Sequence, residues 1–199
     1  CMSKHSVTRF SICAFLLFLL SAFMVACGSS NASTPPKPTV TPPTPSPTPA
    51  ITLTSYKGTG YSIGYPQGWT TGGNSQQMQF SDPAQDNLTI EAKTGKPNVS
   101  TIGTYLVQFT LTGLKVAEKN YKEITVPSKT TIDGIQWDQG AATMTDPQLG
   151  PIQVIVLGTQ NPKHPGQLFV MFYATTQKTF DKVNKEDFQP MLQSFKFQS

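Results

Sequence analysis

Beyond residue 27 the sequence contains no cysteine, no arginine and a single histidine, His164. The missing cysteines exclude disulfides, thiolate metal sites and a cysteine nucleophile from everything downstream. The missing arginine argues against bidentate readout of phosphate or guanine. His164 sits in the turn-forming run Asn161-Pro162-Lys163-His164-Pro165-Gly166. A catalytic histidine has to be held between nucleophile and carboxylate, and a hairpin tip holds nothing firmly. Charge of one sign is also scarce. Residues 51–199 carry 12 lysines against 11 acids, so the formal +4 of the whole chain falls to about +1 there. A nucleic-acid binder is expected to be far more basic.

Motifs of phosphate and calcium chemistry are absent too. Gly58-Thr59-Gly60 is followed by a strand pattern and not by a helix, and no G-x-G-x-x-G or G-K-[ST] occurs. Asp82 and Asp86 flank a turn without the D-x-D-x-D-G spacing of a calcium loop. Asp133 with Asp138, and Glu186 with Asp187, are the remaining carboxylate pairs with acid–base potential. Each reads more simply as a strand-start or helix-start residue. The expectation is a protein that is not an enzyme and that uses no metal and no cofactor.

What is present at the N-terminus is informative. Lys4, His5 and Arg9 precede a run of 17 residues, Phe10–Ala26, broken only by Ser11, Cys13 and Ser21. A basic start, a short apolar run and small residues at its end are the features of a signal peptide. The run ends Met24-Val25-Ala26-Cys27-Gly28 and resembles the lipobox of bacterial lipoproteins. That resemblance implies cleavage after Ala26 and lipidation of Cys27. Several acyl chains are needed for stable anchoring, since one gives only marginal attachment. An uncleaved membrane helix and an ordinary cleaved signal are the alternatives. The expected division is a signal peptide over 1–26, a lipidated cysteine and linker over 27–50, and a globular domain over 51–199. Eight of the 23 linker residues after Cys27 are proline and most others are Thr, Ser or Ala. Such a segment favours extended polyproline II, and at ~3.1 Å per residue it can span about 70 Å.

The remaining 150 or so residues suffice for a core. Alternation marks strands at Tyr61–Tyr65 and Leu88–Lys93, with a short one at Met78–Ser81. Further strands are expected at 124–127, 132–145, 152–159 and 168–175, the last two apolar on both faces and therefore central. Ile102, Tyr105, Leu106, Phe109, Gly113, Val116 and Ala117 recur at helical spacing, which predicts a helix with these on its core side and Ser100 as N-cap. Pro190 divides the last helical stretch into a short turn near Lys178–Val183 and a helix around Asp187–Ser194. The sum is α+β: an antiparallel sheet of six or seven strands with a helix on each face.

The opening Gly60-Tyr61-Ser62-Ile63-Gly64-Tyr65-Pro66-Gln67-Gly68-Trp69 resembles the start of PsbP-like domains. Phe80-Ser81-Asp82-Pro83, Asn87–Ile90, Gly134–Trp137 and Phe188–Phe197 resemble the same family in the same order. The resemblance implies an α/β/α sandwich around a central antiparallel sheet and a mostly non-enzymatic family. Its members include an extrinsic photosynthetic subunit, envelope lipoproteins and a binder of a small GTPase. The lipobox fits the envelope branch. No binding residue transfers from any of them.

Two residues remain as candidates for partner or ligand contact, Trp69 and Trp137, because aromatic anchors carry interface energy. Both also suit a core. The polar run Thr70–Gln77 beside Trp69 can shape a groove. The functional expectation is a membrane-anchored, extracytoplasmic accessory or protein-binding module on the outer face of the membrane. The alternative is a pocket between sheet and helix for a small envelope ligand, a glycan or a lipid.

Overall fold

The computed structural model describes residues 51–95 and 101–198, all within one compact unit spanning Pro47–Ser199. The expected signal peptide with its cleavage after Ala26, the expected lipidation of Cys27, the expected linker and the expected N-cap Ser100 all fall outside the described residues. Helix α1, Ile102–Ala117, has Thr101 at its N-cap position with no side-chain cap bond.

The main sheet is antiparallel throughout. Its strands are β3 (Thr70–Gly73), β4 (Gln77–Ser81), β5 (Asn87–Thr94), β6 (Lys119–Ile124), β7 (Lys129–Ile132), β8 (Ile135–Asp146), β9 (Gly150–Gln160) and β10 (Gln167–Thr176). Their order is β3-β4-β5-β10-β9-β8-β6, with β7 also paired to β8. Ile124 pairs with Ala141, and Lys129 with Asp138. β6 and β7 therefore follow one another along one edge of β8, and eight strands fill seven lanes.

One strand expected in this sheet lies elsewhere. β2 (Tyr61–Pro66) pairs with β1 (Leu53–Gly58) on one side and with the C-terminal β11 (Lys196–Phe197) on the other. The cause is aromatic packing. Tyr61 stacks on Phe195 at 5.7 Å and meets Phe169 edge-on at 5.8 Å, so this small sheet closes over the large one.

Side-chain alternation divides the core in two. Ile155 and Leu157 of β9, with Phe169, Met171 and Tyr173 of β10, join Tyr61, Phe188, Met191 and Phe195 on one face. Their neighbours Val154, Val156, Leu168, Val170 and Ala174 join Leu106, Val107 and Leu111 of α1 on the other. The central strands are apolar on both faces because both faces are covered.

Helix α1 approaches the sheet closely because glycines face each other. A Cβ on Gly158 would lie 2.6 Å from the Gly103 carbonyl oxygen, and one on Gly140 2.8 Å from Val107 and Leu111. Phe180–Val183 forms α2 and Gln189–Ser194 forms α3. Between them Asn184–Phe188 is a π-helical turn. Pro190 clashes with a regular helix before it, and the wider turn relieves that clash without an extended break. The stretch is thus continuous where the sequence suggested two pieces.

Candidate functional site

Of the two tryptophans, Trp137 is fully enclosed, stacked on Phe197 at 5.9 Å and edge-on to Phe195 at 5.4 Å. Its indole N–H finds no acceptor among the described residues. Of the two roles the sequence allowed it, packing is the one this position serves. Trp69 is half-buried and meets Phe188 edge-on at 6.1 Å, which leaves part of its ring accessible.

The titratable residues are structural in their contacts. His164 is exposed. Asp133 is paired with Lys196 at 2.6 Å. Asp86 is buried and accepts a hydrogen bond from the Thr175 hydroxyl, which lies 3.0 Å from that of Thr179 just before α2. Burial raises the Asp86 carboxyl above its ordinary value, the Thr175 bond lowers it, and Asp82 raises it. Asp187 is raised by burial and by the charges of Asp86, Glu186 and Asp82, against a lowering by Lys182. Neither carboxyl borders either of the hollows described below. Among the described residues no three His, Cys, Asp or Glu side chains are grouped to hold a metal.

The outward side of α1 departs from the sequence expectation. Tyr105 is 59% exposed, Phe109 62% and Val116 85%. The core side keeps Leu106, as expected, and is otherwise made by Gly103, Val107 and Leu111. Apolar residues occur on both sides of this helix, so spacing alone did not identify the buried stripe. The signal that could have done so is the glycine set Gly103, Gly140 and Gly158, which marks where helix and strands meet. Tyr105 and Phe109, one turn apart, stack at 6.1 Å with a 28° interplanar angle. Lys115 lies in the last turn.

Two open hollows border the same side of the sheet. The larger, about 440 Å³, is lined by Gly72, Gly73, Asn74, Gln77, Gln79, Asn87, Thr89 and Phe172. The smaller, about 270 Å³, lies at the start of α1 and includes Gly103, Lys129, Gln136, Asp138 and Thr159. Beneath the middle of α1 the space is filled by Val107 and Leu111, held close to Gly140. Gly72, Gly73, Asn74 and Gln77 of the polar run after Trp69 form one wall of the larger hollow, whereas Trp69 itself does not line it.

Taken together, a long antiparallel sheet, a small three-stranded cap and helices packed into both core clusters make an α+β fold of the kind seen in PsbP. The solution structure of cyanobacterial PsbP (CyanoP) from Synechocystis sp. PCC 6803 is similar, with a TM-score of 0.55, 18% identity, and coverage of 74% of this chain and 94% of that one. LpqN of Mycobacterium tuberculosis, described as involved in cell envelope biogenesis, matches with a TM-score of 0.49, 16% identity and coverage of 75% and 92%. The Saccharomyces cerevisiae Ran-binding protein Mog1p matches with a TM-score of 0.48, 7% identity and coverage of 74% and 96%. No family model and no curated protein matches the sequence.

Proposed function

We propose that the chain is a non-enzymatic module of the bacterial cell envelope. Cleavage after Ala26 leaves Cys27 as the lipidated first residue, and the proline-rich tract holds the domain off the outer face of the membrane. The domain then docks a protein partner through the outward side of α1. The observation that carries this reading is the exposed Tyr105–Phe109 stack, continued by Val116. Aromatic side chains bury large areas at low entropic cost, so they anchor interfaces. The partner surface that fits is apolar, with an acid opposite Lys115. Among the described residues no helix is long and apolar enough to cross a membrane, and attachment through Cys27 would supply the anchor.

The test is photo-crosslinking in intact membranes. A photoreactive amino acid at Tyr105 or Val116 is expected to give one discrete protein adduct, lost in Phe109→Ser. The same probe at exposed His164, on the opposite kind of surface, serves as control. Identical adducts from His164 and from the α1 positions would contradict the reading.

A further inference from the structure

The half of the sheet that α1 leaves open has a chemistry of its own. Helix α1 packs on β8 and β9. Strand register then defines a row across the sheet on that side: Gly140 pairs with Val156, Val156 with Phe172, Phe172 with Thr89, Thr89 with Gln79, and Gln79 with Gly72. Gly140 lies under α1 against Val107 and Leu111. Phe172 is half-buried at the helix edge, packed against the α1 cluster. Beyond it the row turns polar. Thr89 is buried in the floor, Gln79 is exposed, and Gly72 ends the row without a side chain.

The neighbouring positions continue this pattern. Gln77, one pleat along from Gln79, donates to Glu91 at 3.2 Å. Asn87 sits one pleat along from Thr89 and donates to the Gln85 carbonyl at 3.3 Å. The Asn74 side-chain Oδ1 accepts from the backbone N–H groups of Gln76 and Gln77, which fixes the turn and the direction of its amide. Gln79 makes no side-chain hydrogen bond to another described residue, so both ends of its amide are available. The backbone keeps the outer wall low. A Cβ on Gly72 would meet nothing within 4 Å. At Gly73, φ is +104°, and a Cβ would lie 2.1 Å from the Gln77 carbonyl oxygen. Glycine is therefore required at the second position, and at the first it leaves open space.

We propose that this groove binds an uncharged oligosaccharide. Side-chain amides and a hydroxyl offer donors and acceptors together, as paired sugar hydroxyls need. The Phe172 ring supplies an apolar edge for the C–H face of a sugar ring. None of the lining side chains carries a charge. Glu91, which accepts from Gln77 beside the groove, is neutralised by Lys93 at 2.6 Å, so an anionic headgroup or phosphate would find no unpaired counter-charge there, and an acyl chain would leave the amides unsatisfied. The volume of about 440 Å³ lies within the range of small-ligand sites. This site is separate from the outward ridge of α1 and does not depend on it.

The experiment is an amide-resolved NMR titration of residues 51–199 bearing their linker. The probes are maltohexaose, cellohexaose and chitohexaose, with inorganic phosphate as the anionic control. The expected result is saturable millimolar or tighter binding of at least one sugar, with shifts confined to 72–91 and the Phe172 region. Gln79→Ala is expected to weaken that binding about tenfold, the loss of a pair of exchangeable hydrogen bonds. Gly72→Val, which places a side chain in open space on an exposed strand, blocks the groove without disturbing the core. Unchanged melting of both variants separates loss of site from loss of fold. The proposal is overturned if none of the sugars shifts these residues at saturating concentration. Shifts centred on Tyr105 and Phe109, or equal affinity in both variants, overturn it as well.

Discussion

The close approach of α1 to the sheet makes two chemically identical substitutions act in opposite directions. A methyl group added at Gly158 points at the helix: its Cβ would stand 2.6 Å from the Gly103 carbonyl oxygen and 3.1 Å from the Leu106 Cβ. The first contact is to backbone, which cannot rotate away. Helix α1 has to lift from β9, and its contacts with Val154 and Val156 loosen with it. Overpacking of this kind costs roughly 1–3 kcal/mol. For a domain of this size that corresponds to a melting temperature lower by roughly 2–12 °C. At Gly113 the same methyl meets nothing within 4 Å, on an exposed turn of the same helix. There only helix propensity counts, and alanine gains about 0.8–1 kcal/mol over glycine. The assay is paired thermal and urea denaturation of Gly158→Ala and Gly113→Ala. The two should straddle the parent, Gly113→Ala above and Gly158→Ala below. A Gly158→Ala protein at least as stable as the parent would refute the glycine-contact account of how α1 is seated.

Other consequences follow from the same packing. Trp137→Ala should cost about 3–5 kcal/mol in urea unfolding, as expected for a large buried ring, while Trp137→Phe should cost clearly less because its ring still fills most of the space, and the N–H it loses has no acceptor. Trp69→Phe should stay within about 1 kcal/mol of the parent, since a half-buried ring can keep its edge contact with Phe188. The raised carboxyls set a pH dependence. The folded state holds its protons on Asp86 and Asp187 to higher pH than the unfolded chain, so their contribution to stability is full below the unfolded value and is lost as pH rises through the folded value. Denaturation across the acid range should show that decline, and Asp187→Asn should flatten it and raise stability at neutral pH. Tyr105→Ser with Phe109→Ser should leave the melting curve within about 0.5 kcal/mol of the parent, because exposed positions contribute little to folding.

The strands that line the core, β2, β4, β5, β8, β9 and β10, are legible because alternation depends on a period of two that burial enforces directly, whereas β1, β3, β6 and β7, mostly exposed, carry too few buried positions to show it. Ile152–Leu157 and Leu168–Tyr173 read as doubly covered, and the two core clusters take their residues alternately. The lane of β2 was not legible, since its pattern shows that one side is buried but not against what. Nothing local links Tyr61 to Phe195, 134 positions away, and their stacking draws β2 out of the main sheet. Helix α1 was found, but turned. Its sequence offers two apolar stripes, and tertiary contact with glycines on β8 and β9 selects the less aromatic one. The same ambiguity conceals the candidate surface, because spacing alone puts Tyr105 and Phe109 on the core side. The larger hollow was half legible: Thr70–Gln77 announced a polar wall, whereas Thr89 and Phe172 join it only through strand register.

Placement at the envelope is the claim on which the rest of the functional reading stands, and it reduces to the chemistry of one residue. Intact-mass and N-terminal peptide analysis of the protein extracted from its native membrane addresses it directly. The account predicts a chain that begins at Cys27 and carries diacylglycerol on its sulfur. A free thiol at Cys27, or a mature chain that retains residues before it, would contradict the account.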